Sequence, residues 1–276
     1  MIRAVLLLLA FALPAQAQAP RSNAWAEVAG PTAGTARSIG GASLGCLAGG
    51  VQLPLEGVGY QAVRVSRNRH WGHPITIRFV QDFAAEAQRR GLPDLWIGDL
   101  AQPRGGPMPW GHVSHQTGLD VDIWLDLLPK PPQPRAAREE IRITSLVLPD
   151  QSGVDPRHFT ARHAALIRQA AEHPGVDRVI VNHGIKRSLC AAHRGEAWLR
   201  RVRPWRGHDS HMHIRLRCAP GDAACQEAPP IPAGDGCDAS LDWWLSEEAR
   251  RPPRPPARPG PPPALPAACA GLLRAP

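Results

Sequence analysis

The chain has 276 residues and a formal charge of +8, which suffices for one large domain or two small ones. Glycine and proline contribute 26 and 31 residues, so the ordered core is expected to be smaller than the length implies. Only Lys130 and Lys186 are lysines, and no arginine cluster interleaves with aromatics. This argues against nucleic-acid binding and leaves two readings of the charge: attraction to an anionic polymer such as a cell wall or membrane surface, or solubility alone.

The chain opens on "MIRAVLLLLAFALPAQAQAP", with basic Arg3, an apolar run from Ala4 to Leu13, and small residues at Ala15, Ala17 and Ala19. That is the pattern of a secretory signal peptide over residues 1–19. The apolar run is about half of the ~20 residues a membrane span needs, and no later segment is apolar enough, so a soluble exported protein is expected. A single domain over 20–245 and a proline-rich tail over 246–276 follow. Cys46, Cys190, Cys218, Cys225, Cys237 and Cys269 form an even set in an oxidising compartment, which predicts three disulfides. Thiolate zinc sites are disfavoured because no C-x-x-C pair occurs.

"GPTAGTARSIGGASLGCLAGG" predicts an extended segment pinned at Cys46. "PITIRFVQDFAAEAQRRG" predicts a helix from Pro74, with proline in the first turn, Phe79, Phe83 and Ala87 on one face, and a stop at Gly91. "LPDLWIGDLA" is expected to be a strand and "RGGPMPWGH" a loop. In "LDVDIWLDL" the apolar Leu119, Val121, Ile123 and Leu125 alternate with Asp120, Asp122, Trp124 and Asp126. That period predicts a strand with one core face and one carboxylate face. "PKPPQP" is a linker or surface loop. A helix is expected from about Thr160 to His173, a buried strand at "VDRVIVN", and a short helix at Cys190. "EAWLRRVRPW" is expected to be helical up to its proline. In "HDSHMHIRLRC" the alternation returns, with His211, His213, Arg215 and Arg217 on one side of a strand and Met212, Ile214 and Leu216 on the other. "LDWWLSEEARR" is amphipathic, and "PPRPPARPGPPPALP" predicts extended polyproline.

Two strands therefore each offer a polar face with ligand groups. His115 stands at the turn leading in, Asp122 on the first strand and His213 on the second. Two imidazoles and a carboxylate suit Zn²⁺ with its fourth position open to water, the mark of a catalytic rather than a structural site. His211 lies on the same side as His213 and is the candidate general base or oxyanion stabiliser. Asp120 is assigned to support, as an acceptor that orients a ligand imidazole. His158, His163, His173, His183 and His193 lack matching partners and are assigned to structure.

"SHQTGLDVD" with a distant "HMH" resembles the LAS-type zinc metallopeptidases, which include lysostaphin-like, D-alanyl-D-alanine-cleaving and hedgehog-type domains. More closely, "SIGGASLGC", "WGHP", "GHVSHQTGLDVDI", "WLRRVRPW", "HMHIRLRC" and "GDGC" follow, in order, the pattern of the penicillin-insensitive murein endopeptidase family. The resemblance implies an α+β fold, with a central antiparallel β-sheet flanked by helices and disulfide-tied loops. It implies His115, Asp122 and His213 as zinc ligands, His112 as a further metal contact and His211 as the catalytic histidine. His208 would line the cleft, and Arg215 is a candidate for a substrate carboxylate. It also implies pairing of Cys46 with Cys269, Cys190 with Cys237, and Cys218 with Cys225. Where the family can place an additional Asp and His metal contact, this chain has Asp150 but Gly153, which argues against a second metal.

The implied reaction is penicillin-insensitive hydrolysis, in the periplasm, of the D-alanyl to meso-diaminopimelyl cross-link of peptidoglycan. Two alternatives stand beside it: a zinc D,D-carboxypeptidase or dipeptidase trimming stem-peptide ends, and a non-catalytic exported zinc- or wall-binding protein.

Overall fold

The computed structural model describes residues 23–251 and 263–275. The proposed signal peptide and most of the proline-rich run lie outside the described residues. The period-two pattern around Val121 folds as expected into a strand whose five residues, Asp120–Trp124, are all buried, carboxylates included. The strands on either side of it determine what those carboxylates meet.

The glycine-rich approach forms a hairpin rather than one extended segment. Strand β1 (Arg37–Gly41) pairs antiparallel with β2 (Leu44–Ala48). After a short β3 (Val51–Gln52), the chain enters the main sheet through β4 (Glu56–Gly57) and β5 (Tyr60–Ala62), then returns to pair β6 (Trp71–Gly72) with β3. Helix α1 (Pro74–Arg89) starts on Pro74, where a missing N–H costs nothing, and His73 Nδ1 accepts the N–H of Ile75 at its N-terminus. Its buried face carries Ile77, Phe79, Val80, Phe83, Ala84 and Ala87. Strand β7 (Leu95–Ile97) is shorter than the predicted segment, and Asp120–Trp124 is β8. Helix α2 (Ala161–Glu172) follows a capping box in which Thr160 and His163 exchange bonds. Then come β9 (Val176–Asn182), α3 (His183–His193), β10 (Val202–Trp205), β11 (His211–Leu216), α4 (Ala239–Leu245), α5 (Glu247–Arg250) and α6 (Ala267–Arg274).

The main sheet has seven strands in the order β10, β9, β11, β8, β7, β5, β4. The fold is α+β as expected, but the sheet is mixed: β10 with β9 and β5 with β7 are parallel pairs. The segment expected to be helical up to Pro204 is a 3₁₀ turn over Ala197–Arg201 followed by strand β10. Pro204 is accommodated because β10 is an edge strand, where one residue fewer donating to a ladder is tolerated.

The registers fix the two faces of the sheet. His211 pairs with Trp124, His213 with Asp122, and Arg215 with Asp120, so these six side chains share one face. The intervening Val121, Ile123, Met212 and Ile214 join Val179, Val181 and the buried faces of α1 and α2 in the main core. The three disulfides are Cys46–Cys269, Cys190–Cys237 and Cys218–Cys225, as the resemblance implied. Beyond the polyproline segment, most of which lies outside the described residues, the chain ends in helix α6. Cys269 on α6 packs with Trp25, Ile39 and Cys46, and Arg104 donates to the Leu272 and Ala275 carbonyls. No described helix is long and apolar enough to cross a membrane.

Candidate metal centre

The turn entering β8 is forced by its sequence. Gly118 has φ 74°, and a Cβ there would sit 2.9 Å from the His73 amide nitrogen and 2.7 Å from Leu47, so only glycine fits. Just upstream, His115 takes φ 68°, a left-handed conformation that costs a non-glycine residue roughly 1–3 kcal/mol and is typically retained where a side chain must be aimed. The His115 backbone N–H donates to Asp120 Oδ2 at 3.0 Å, closing the turn onto the strand.

The His115 ring is fully buried. Neither of its nitrogens has a hydrogen-bond partner among the described residues, and the same holds for Asp122 Oδ1. Unpaired buried polar atoms are rare because each costs roughly 1–3 kcal/mol. Here they face one another: His115 Nε2 lies 3.5 Å and His213 Nδ1 3.1 Å from Asp122 Oδ1, while His112 Nδ1 lies 3.5 Å from Asp122 Oδ2. His112, His115 and Asp122 each present a ligand atom within 4.8 Å of the others. Two or three imidazoles around one carboxylate form the donor set of a borderline-soft divalent ion, so the residues fit a metal such as zinc.

Asp120 occupies the supporting position expected of it. Its Oδ1 accepts from His213 Nε2 at 2.9 Å and from Arg215 Nε at 2.7 Å. With Nε2 carrying the hydrogen, His213 is left to present Nδ1 toward Asp122. Burial alone would raise the Asp120 pKa, but Arg215 and His213 outweigh it and hold the carboxyl well below its ordinary range. Asp122 is likewise buried yet strongly acidic, because His115 and His211 surround it. Asp120→Asn should weaken metal binding by about 10- to 100-fold in a competition titration against a chromophoric chelator. It should also lower stability by about 3 kcal/mol, since Arg215 loses its buried counter-ion.

Burial lowers the pKa of His115 and of His211, keeping both rings neutral. Burial also lowers His208, with His211 and His213 pushing it further, to about 4. His208 Nδ1 lies 2.8 Å from the Arg206 carbonyl, which can only accept, so Nδ1 carries the hydrogen and Nε2 is bare. His213 behaves oppositely. Burial opposes its charge, but Asp120 and Asp122 prevail and raise it to about 9. Without metal this imidazolium stabilises the fold fully below the unfolded value of 6.5, and the contribution is lost as pH rises through 9. Chelator-treated protein should therefore lose several degrees of Tm between pH 6.5 and 9. Metal-loaded protein should stay flat over that window, because the ion takes the place of the Nδ1 proton.

The remaining expected residues are distributed unevenly. His211 pairs across from Trp124, with ring centroids 5.1 Å apart; its Nε2 is 3.8 Å from Asp122 Oδ2, and its Nδ1 has no hydrogen-bond partner among the described residues. The His208 ring lies 5.0 Å from that of His211, tilted by 43° against it. Arg215 is engaged by Asp120 beneath the cluster, whereas Arg217 lines a separate cleft with Arg168, Trp198 and Arg200. Asp150 is exposed and accepts from Ser152, and a Cβ on Gly153 would meet nothing within 4 Å.

Asp99 is absent from the sequence-based expectations. It is buried at the end of β7, and its Oδ2 engages His112 Nε2 at 3.2 Å, Arg67 Nη1 at 3.2 Å and Arg69 Nη1 at 3.0 Å. Both arginines lie over the Trp110 ring, so His112 is steered by a carboxylate that is itself clamped. The one available signal was an acidic residue closing an otherwise apolar segment, "LWIGD".

The family model described as penicillin-insensitive murein endopeptidase matches residues 38–274. Proteins of that name from Klebsiella pneumoniae (strain 342), Pectobacterium atrosepticum and Salmonella heidelberg are each 40% identical to the chain. The alignments cover 95%, 90% and 90% of this chain and 95%, 88% and 90% of theirs. With the match running from the first hairpin to the last helix and enclosing the His and Asp cluster, the chain belongs to the penicillin-insensitive murein endopeptidase family.

Proposed function

We propose that this murein endopeptidase is a zinc enzyme of the periplasm that hydrolyses the D-alanyl to meso-diaminopimelyl amide cross-linking peptide stems. One observation carries the reading: buried atoms of His115 and Asp122 without a hydrogen-bond partner among the described residues converge with His213 Nδ1, while neutral His211 stands beside them. His115, Asp122 and His213, with His112 at the rim, would hold the ion. Bound there, zinc would supply Lewis-acid polarisation of the scissile carbonyl and a water nucleophilic at neutral pH. Asp120 holds the His213 tautomer, and Asp99 holds His112. His211, kept neutral by burial, takes up a proton during attack and returns it to the departing amine. His208 presents its bare Nε2 from the cleft wall as an acceptor for a substrate N–H. Attack by water rather than by a serine leaves β-lactams nothing to acylate, in keeping with the family's name. The segment over residues 1–19 would deliver the protein across the inner membrane.

The deciding experiment is a digest of purified cross-linked dimer muropeptide, with and without chelator and with and without penicillin. Monomers should accumulate from the dimer, chelator should stop the reaction, and penicillin should not. Release of D-alanine without monomer would support the carboxypeptidase alternative. Metal binding without any product would support the non-catalytic one.

A further inference from the structure

Three of the arginines around the β5 to β6 connection are matched to carboxylates. Arg67 and Arg69 both engage Asp99, and Arg138 engages Glu56. Arg64 has no carboxylate at ion-pair distance among the described residues. It is half-buried, and its Cζ lies 4.6 Å from the centroid of the Trp124 ring. Trp124 is the cross-strand partner of His211, with ring centroids 5.1 Å apart, so Arg64 and His211 share one aromatic wall. That wall is rigid, because Trp124 Nε1–H donates to the Gly98 carbonyl at 2.8 Å. The Arg64 backbone is equally constrained. It takes φ 53°, strained for a side-chain-bearing residue, and its N–H donates to the Arg138 carbonyl at 2.9 Å. Stacking on tryptophan offsets only part of the cost of withdrawing a guanidinium from water. Burial accordingly depresses the Arg64 pKa, with Arg67 adding to it and the more distant Asp99 opposing only in part.

The proposed substrate supplies the missing anion. In a D-alanyl to meso-diaminopimelyl cross-link, the carbon that bears the scissile nitrogen also bears a carboxylate. A group that places the amide beside His211 carries that carboxylate along the leaving-amine side. Arg215, the other candidate, is already held by Asp120. We propose that Arg64 is the receptor for this leaving-side carboxylate and so determines specificity for an acidic residue after the scissile bond. The proposal rests on the function proposed above. A planar guanidinium meets a carboxylate through two parallel hydrogen bonds, which lysine does not reproduce.

The test compares two dimer muropeptides that differ only at this group, one with the free carboxylate and one with the carboxamide, across wild type, Arg64→Ala and Arg64→Lys. Wild type should prefer the acid by about 10- to 100-fold in kcat/KM, expressed mainly in KM. Arg64→Ala should lose about that factor on the acid, lose little on the amide and show no preference between them. Arg64→Lys should recover part of the preference. Metal content and Tm of each variant check that the centre and fold are intact. If Arg64→Ala does not fold, a reduced preference in Arg64→Lys decides the matter. Wild-type discrimination persisting in the folded variants, or absent from wild type, would overturn the role of Arg64. Failure of wild type to cut either dimer would instead overturn the function itself.

Discussion

Replacing His213 with alanine is expected to remove metal and activity together. His213 directs Nδ1 at Asp122 and uses Nε2 to satisfy Asp120, so its loss would remove a proposed ligand and unpair a fully buried carboxylate. Metal affinity should fall by more than the roughly 10- to 100-fold typical of losing a supporting partner. Muropeptide hydrolysis should fall below detection at stoichiometric zinc. Asp122→Ala should behave in the same way, because Asp122 lies within 3.5 Å of His112, His115 and His213. Zinc retained at one equivalent in either variant, measured by elemental analysis after dialysis, would remove that residue from the ligand set.

His211→Ala, two residues away on the same strand, should separate the two properties. His211 touches Asp122 only at 3.8 Å and pairs across from Trp124 rather than from an aspartate. Zinc should therefore remain bound, while kcat falls about 10²- to 10⁴-fold, the range expected for loss of a general acid–base. A neutral ring whose Nδ1 has no hydrogen-bond partner among the described residues is what a proton carrier requires and what a storage site has no use for. Near-normal turnover in a zinc-loaded His211→Ala variant would refute the assignment. Parallel loss of zinc and turnover would make His211 a ligand instead.

These outcomes differ along one strand because the pleat sends His211, His213 and Arg215 to the same face but to different partners. The sharing of a face was legible in the sequence: alternation at Val121, Ile123, Met212 and Ile214 fixes which side chains enter the core, and the Asp and His positions follow. Helix α1 was equally legible, since its first-turn proline and apolar face act locally. Strand β10 was not. The apolar positions Trp198, Leu199 and Val202 continue a helical spacing, and only the availability of an edge beside β9 makes Pro204 acceptable in a strand.

The sequence by itself determined the candidate ligand types, the two strands that carry them and, through its collinear motifs, the family. Six cysteines behind a leader-like N-terminal pattern announced disulfides, while their connectivity came from the family's pattern, because spacing alone does not bring Cys46 within reach of Cys269. Only the tertiary structure decided which groups are matched and which are left over. Asp99 is one ordinary acidic residue until β7 lays it against His112, Arg67 and Arg69, and Arg64 is one arginine among many until β8 sets Trp124 beneath it. The physical reason is common to both: local patterns record how a segment hides its apolar atoms, whereas a buried charge takes its meaning from neighbours that the chain brings to it from far away.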